Sequence, residues 1–250
     1  MANPRFFVNK ITGSSCVISG DDFSHLVSVL RKEKGDSVIV FNYGCGEFEA
    51  VIESIDTKAR EAVLKTVKKI RDAGTRRVYI SAVMALIKND RMEFVLEKLT
   101  ELGVDEIIPL AASRAVVKIK DSEKKKERWE RIIYSAVKQS GRIKEPSLSP
   151  VVDSVKMLLP VKGSTAGFFA WEREDKKMLI DSAIKKIPGA DSVIFVIGPE
   201  GGFEEAEAAE LIKKGYEAVS LGNNTLRAET AAIAAASVII QASEAINWND

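Results

Sequence analysis

Residues 197–203 read "IGPEGGF"; five apolar residues (Val193, Ile194, Phe195, Val196 and Ile197) lead into the motif, and Glu204, Glu205 and Glu207 follow it. A short apolar run bounded by turn residues reads as a buried strand. The turn at its end holds Gly198, Gly201 and Gly202, and glycine lets backbone approach a ligand closely because no Cβ intervenes. In open α/β sheets ligands sit at the carboxyl ends of strands. A plain strand-to-helix turn accounts for the same glycines without a ligand.

The spacing Gly-Pro-Glu-Gly-Gly departs from the dinucleotide pattern Gly-x-Gly-x-x-Gly, and "SLGNN" (220–224) stands where that pattern expects its carboxylate. A helix N-terminus favours an anion, yet Glu200, Glu204, Glu205 and Glu207 would crowd a pyrophosphate. The glutamates either cap the helix for its own sake or tolerate a ligand that is not anionic. S-adenosylmethionine, a sulfonium cation joined to a zwitterion, meets that requirement.

Upstream of the motif the chain alternates. "VYISAVMAL" (78–86) reads as a strand; Met92, Val95, Leu96, Leu99 and Leu102 recur at helical spacing and Gly103 stops the helix. "DEIIPL" (105–110), a charged helix around 124–142, a strand at "TAGFFAWE" (165–172) and a helix near 177–187 follow. This order predicts a parallel sheet with helices on both faces. Downstream, "VSLGNNTLRAETAAIAAASVIIQ" (219–241) gives a short strand, a Gly-Asn-Asn loop and a helix of small residues that packs closely on more than one side. Arg227 and Glu229 at its start are charges beside an apolar segment, which cost free energy unless paired or used.

The first 72 residues read differently. "SVIVFN" (37–42), a turn at Tyr43-Gly44-Cys45-Gly46, "EFEAVIESI" (47–55) and "EAVLKTVKKI" (61–70) are strand-like, and "SGDDFSHLVSVLRK" (19–32) offers one helix with Asp21 or Asp22 as N-cap. A small barrel with one helix is expected, with a boundary near Asp72-Ala73-Gly74.

Composition excludes several classes of function. Two cysteines, Cys16 and Cys45, without companions at ligand spacing indicate neither a disulfide framework nor a metal site. His25 is the single histidine and no Gly-x-Ser-x-Gly turn occurs, which sets hydrolase triads aside. The start, "MANPRFFVNK", lacks the apolar stretch of a signal peptide and no apolar run is long enough to span a bilayer, so a cytoplasmic protein without a membrane partner is expected. The net charge of +1 hides an asymmetry: residues 1–150 carry 27 Lys+Arg against 21 Asp+Glu, and residues 151–250 carry 10 against 15. A polyanion bound by the front half, or two ordinary solvated surfaces, fits this equally.

"IGPEGGF" and "LGNNTLRAETAA" (221–232) together resemble the RsmE family of small-subunit ribosomal RNA methyltransferases, in the SPOUT superfamily. The resemblance runs along nearly the whole chain, through "RFF" (5–7), "HLVSVLR" (25–31), "EKLTELGV" (97–104), Arg114 and "QSGR" (139–142). It implies an N-terminal PUA-like barrel (1–72), a C-terminal α/β domain (73–250) with a parallel sheet and a trefoil knot, and a homodimer with the cofactor pocket at the subunit interface. It implies S-adenosylmethionine held by loops after three strands, here Ala170 with its neighbours Phe169 and Trp171, then Gly198, Pro199, Gly201 and Gly202, then Leu221, Gly222, Asn224 and Leu226. The family usually carries Arg-Ile before the final Leu-Arg, where this chain has Asn224-Thr225, and "SAVK" (135–138) replaces a segment that is usually acidic and alanine-rich. Since that loop meets the cofactor chiefly through backbone, cofactor binding is expected to survive Asn224 and Thr225.

The reaction implied is methyl transfer to N3 of a uridine in 16S rRNA of the small ribosomal subunit. N3 carries a proton on a weakly acidic imide, so the proton must leave and the uracil charge must be stabilised. Arg227 is expected to stabilise that anion or position its phosphate, and Glu200 or Glu229 to assist proton removal. For Glu229 a structural role in a helix first turn is the competing reading. Arg5, Arg31, Arg114 and Arg142 are the family-matched cations for RNA, and His25 either meets a nucleotide or packs on its helix. A related enzyme on another RNA, or an RNA-binding module without catalysis, are the alternative classes.

Overall fold

The computed structural model describes residues 3–72, 78–115, 122–174 and 176–245. The boundary expected at Asp72-Ala73-Gly74 falls against residues 73–77, outside the described residues. The chain divides into two compact units, residues 1–75 with 137–145, and residues 76–136 with 146–250.

In the first unit β1 (Arg5–Phe7), β2 (Ile11–Thr12) and β3 (Ser15–Ser19) precede a short helix, α1 (Gly20–Ser24), which runs into a π-helical turn at His25–Val29. Then come β4 (Ser37–Asn42), β5 (Gly46–Asp56) and β6 (Glu61–Arg71). The six strands form one sheet in the order β1-β4-β5-β6-β3-β2. Its two end strands, β1 and β2, are neighbours in sequence, and the stretch from Phe7 to Ile11 reaches at most about 14 Å. A flat sheet of six strands would be about 24 Å wide, so this one must curl to bring its end strands within that reach. Alternation does the rest: Cys16 and Ile18 on β3, Val38 and Val40 on β4, and Ala62 and Leu64 on β6 point inward with Phe6, Leu26, Ala50 and Ile52.

Segment 137–145, remote in sequence, is held to this sheet by Arg5. Its guanidinium donates to the carbonyls of Lys138 (2.9 Å) and Arg142 (3.3 Å) and to Glu47 (2.5 Å), and stacks 4.4 Å over the Phe41 ring. Lys138 reaches Asp22, and the Tyr43 hydroxyl donates to Glu145 at 2.9 Å.

The second unit contains β7 (Tyr79–Ala85), α2 (Asn89–Leu102), β8 (Glu106–Leu110), most of α3 (Ser122–Ser140), β9 (Ser147–Leu148), β10 (Thr165–Ala170), α4 (Leu179–Lys186), β11 (Ser192–Ile197), α5 (Glu205–Lys213), β12 (Glu217–Val219) and α6 (Ala228–Ala245). The sheet order is β12-β10-β11-β7-β8-β9, and every pairing is parallel. One face packs Ile80, Ala82, Met84, Phe168 and Phe195 against α2, α4 and α6; the other packs Val83, Phe169 and Val196 against α5. This is the expected two-faced arrangement.

Local signals set the helices. Gly103 ends α2 at φ 108, a left-handed value that favours glycine, and its N–H returns to the Leu99 and Thr100 carbonyls. Along α6, Ala228, Ala231, Ala232, Ala235 and Ala236 are buried at helical spacing, and such small side chains permit close approach to α2 and α4. No helix among the described residues is long and apolar enough to cross a membrane.

Candidate active site

Because β10, β11 and β12 are parallel, their carboxyl ends, at Ala170, Ile197 and Val219, lie along one edge of the sheet. The three loops that leave them enclose a cavity of about 660 Å³. The first loop contributes Ala170, Trp171, Glu172 and Glu174; the second contributes 197–203; the third contributes 219–228. Of the residues expected to hold the cofactor, Ala170, Trp171, Gly198, Pro199, Gly201, Gly202, Leu221, Gly222, Asn224 and Leu226 lie on this wall, whereas Phe169 is buried in the core.

The glycine loop is shaped by its neighbours. A Cβ on Gly198 would meet the Phe203 ring at 3.1 Å, and one on Gly201 would meet Arg114 Cβ at 3.2 Å. Gly202 adopts φ +67 and packs against the Glu172 carboxylate. Arg114 donates from its guanidinium to the Gly201 carbonyl at 3.1 Å and lies 3.7 Å from Glu204. Arg114, expected on sequence grounds to meet RNA, therefore has one face committed to the cavity's glycine loop. Beyond the loop, Glu204 and Glu207 form a reciprocal cap on α5. The acidic helix start thus has a structural cause of its own.

Glu200 and Arg227 both lie on the cavity wall. Glu229 does not: it stands behind the wall on the first turn of α6, its side chain only 14% exposed, with Oε1 3.7 Å from Arg91 Nε. Of the two carboxylates considered for proton removal, only Glu200 lines the cavity. Arg91 was missed in the sequence. It sits on the first turn of α2, lines the cavity, and its other arm approaches Glu200 at 3.7 Å. The Trp171 indole lines the cavity, and its buried Nε1 has no hydrogen-bond partner among the described residues.

The remaining cations expected to meet RNA belong to the first unit. His25 is exposed in the π-helical turn, its ring 6.1 Å from that of Phe6, and Arg31 is exposed with φ 52. Arg142 is half-buried, and its carbonyl accepts from Arg5. Arg5 itself is mostly buried and its donors are engaged within the unit.

A parallel sheet whose strand-end loops enclose a cavity, joined to a small curled β unit, is the architecture of an RNA methyltransferase: a family model described as an RNA methyltransferase domain matches residues 75–240, and one described as an RNA methyltransferase PUA domain matches residues 18–65. The ribosomal RNA small subunit methyltransferase E of Bacillus subtilis is 32% identical over 228 residues, covering 89% of this chain and 88% of the relative. That of Mesomycoplasma hyopneumoniae is 28% identical, covering 92% and 95%. The chain belongs to the ribosomal RNA small subunit methyltransferase E family. A Legionella pneumophila protein solved in complex with S-adenosylmethionine superposes with a TM-score of 0.82 at 30% identity, covering 97% of this chain and 98% of that one. The Neisseria gonorrhoeae methyltransferase E bound to S-adenosylmethionine gives 0.83 at 25% identity, covering 96% and 97%.

Proposed function

We infer that this protein transfers a methyl group from S-adenosylmethionine to N3 of a uridine in 16S rRNA of the small ribosomal subunit. The observation that carries this reading is the cavity made by the three strand-end loops, with Glu200 and Arg227 both on its wall. Its lining suits a sulfonium cation: it carries three carboxylates, Glu172, Glu174 and Glu200. Gly222, at φ +132 with open space where a Cβ would stand, leaves room at the wall.

When bound, S-adenosylmethionine supplies an electrophilic methyl carbon. The residues of the chain then have three tasks. Glu200 accepts the N3 proton, which frees the nitrogen lone pair to form the new N–CH₃ bond as the methyl–sulfur bond breaks. Arg227, exposed at the cavity and without a side-chain partner among the described residues, stabilises the negative charge on the uracil oxygens. The backbone of 198–202 and 221–226 holds the cofactor, which makes the side chains Asn224 and Thr225 permissible there.

Arg31, His25, Arg142 and the exposed part of Arg114 contact RNA phosphates or bases in this reading, whereas Arg5 acts as an internal tie. A trefoil knot and a homodimer belong to it as well. Exposed Phe94 on α2, and Ile180 and Ile184 on α4, lie on the helices packed against α6 and supply apolar surface for a second copy. A ribosomal substrate places the protein in the cytoplasm. Incubation with methyl-labelled S-adenosylmethionine and small subunits from cells lacking the gene tests the reading; label in 16S rRNA supports it, and none with measurable cofactor binding moves the substrate to another RNA.

A further inference from the structure

Arg91 is the only guanidinium among the described residues that approaches both Glu200 and Glu229. The three residues come from three places in the chain: the first turn of α2, the loop after β11 and the first turn of α6. Glu229 stands behind Arg91, largely buried, with one oxygen 3.7 Å from Arg91 Nε and the other without a hydrogen-bond partner. Glu200 stands in front of it on the cavity wall, 3.7 Å from a terminal nitrogen. A guanidinium is planar and forked, so a carboxylate that orients one edge also aims the other.

We propose that Arg91 is a positioning residue for methyl transfer: Glu229 fixes its guanidinium, and the guanidinium holds the Glu200 carboxylate at the cavity wall, where it receives the uracil N3 proton. Arg91 takes no proton and touches no reacting atom. Both separations exceed hydrogen-bond length, as is common before substrate closes a catalytic site. The arrangement explains why a buried carboxylate is kept on an alanine-rich helix: removing either neighbour would leave it or Arg91 uncompensated. The proposal rests on the reading of Glu200 as proton acceptor, and its test separates the two.

Arg91→Lys keeps the positive charge beside buried Glu229 but replaces the fork with a single point of contact, so the fold is retained while the aim is lost. The expected result on small subunits is a fall in kcat of about tenfold or more, with KM for S-adenosylmethionine changed less than about threefold. Glu200→Gln should fall further, and the double variant should be no slower than Glu200→Gln alone, because the two residues act as one unit. Multiplying losses, or an Arg91→Lys variant as fast as the unaltered protein, would overturn the proposal. Should the unaltered protein bind cofactor yet methylate no small subunit, the functional reading fails instead, and a crystal structure of Arg91→Lys still decides the positioning claim. Glu200 displaced from the wall upholds it; Glu200 unmoved overturns it.

Discussion

Glu207 accepts a hydrogen bond from the backbone N–H of Ser113 at 2.9 Å on one oxygen and from that of Glu204 at 3.0 Å on the other. One buried carboxylate thereby ties the segment after β8 to the start of α5, directly beyond the glycine loop. Replacing it with alanine leaves two backbone donors without their acceptor. We expect Glu207→Ala to lower unfolding free energy by about 2–3 kcal/mol and to weaken S-adenosylmethionine binding. Denaturant melts and calorimetric titration check this; unchanged stability with unchanged affinity would contradict it.

Gly222 and Arg227 separate binding from chemistry. At φ +132 an L side chain is strained wherever space is open, so Gly222→Val should weaken cofactor binding about tenfold or more. Arg227→Ala should leave that affinity within about threefold while reducing kcat by about 10²-fold, the scale of losing one charge-stabilising donor. Titration calorimetry beside single-turnover methylation reads both, and an Arg227→Ala variant with full turnover would remove its proposed role.

Two arginines that look alike in the sequence should behave differently. Arg5→Ala loses Glu47, the carbonyls of segment 137–145 and the stack on Phe41, and we expect about 2–4 kcal/mol of destabilisation. Arg31→Ala, fully on the surface, should leave stability unchanged and reduce the salt dependence of RNA binding by about one released counterion. Filter binding at several salt concentrations distinguishes them.

Burial pushes the Cys16 thiol up to about 11 and the Tyr216 phenol up to about 12, while Tyr216 also donates to the Leu159 carbonyl at 2.9 Å. Both groups are held neutral by the fold. Their contribution to stability is complete below their ordinary values of 9.0 and 10.0 and is lost as pH rises through 11 and 12. Denaturation midpoints should therefore decline from about pH 9 upward, and Cys16→Ala should flatten the first part of that decline. A midpoint constant to pH 11 would contradict it.

The parallel sheet and its cavity-bearing edge were legible in the sequence because the signals are local: an apolar run, a glycine turn, a helix-period stripe closed by Gly103. The loops after β10, β11 and β12 could be placed the same way. Arg91 was not legible, since it lies in an ordinary helix start, "KNDRMEF" (88–94), and gains meaning only from carboxylates far along the chain. Segment 137–145 joins the first unit for a similar reason: its anchor is Arg5, which sequence reading assigned to RNA and the structure shows binding its own backbone. In the sequence Glu207 and its neighbours read either as a helix cap or as tolerance for a ligand that is not anionic, and its bond to the Glu204 N–H makes it a cap. Charge type is visible in a sequence; charge partner is a property of the fold.

A cavity that delivers a methyl group to uracil N3 leaves a chemical record that nucleoside mass spectrometry of 16S rRNA reads. Small subunits from cells lacking the gene, treated with the protein and S-adenosylmethionine, should yield one new methylated nucleoside that co-elutes with 3-methyluridine. The Glu200→Gln and Arg227→Ala variants should yield far less. A methyl group on the uracil carbon or the ribose, or no methylated uridine from a protein that binds cofactor, would contradict the account.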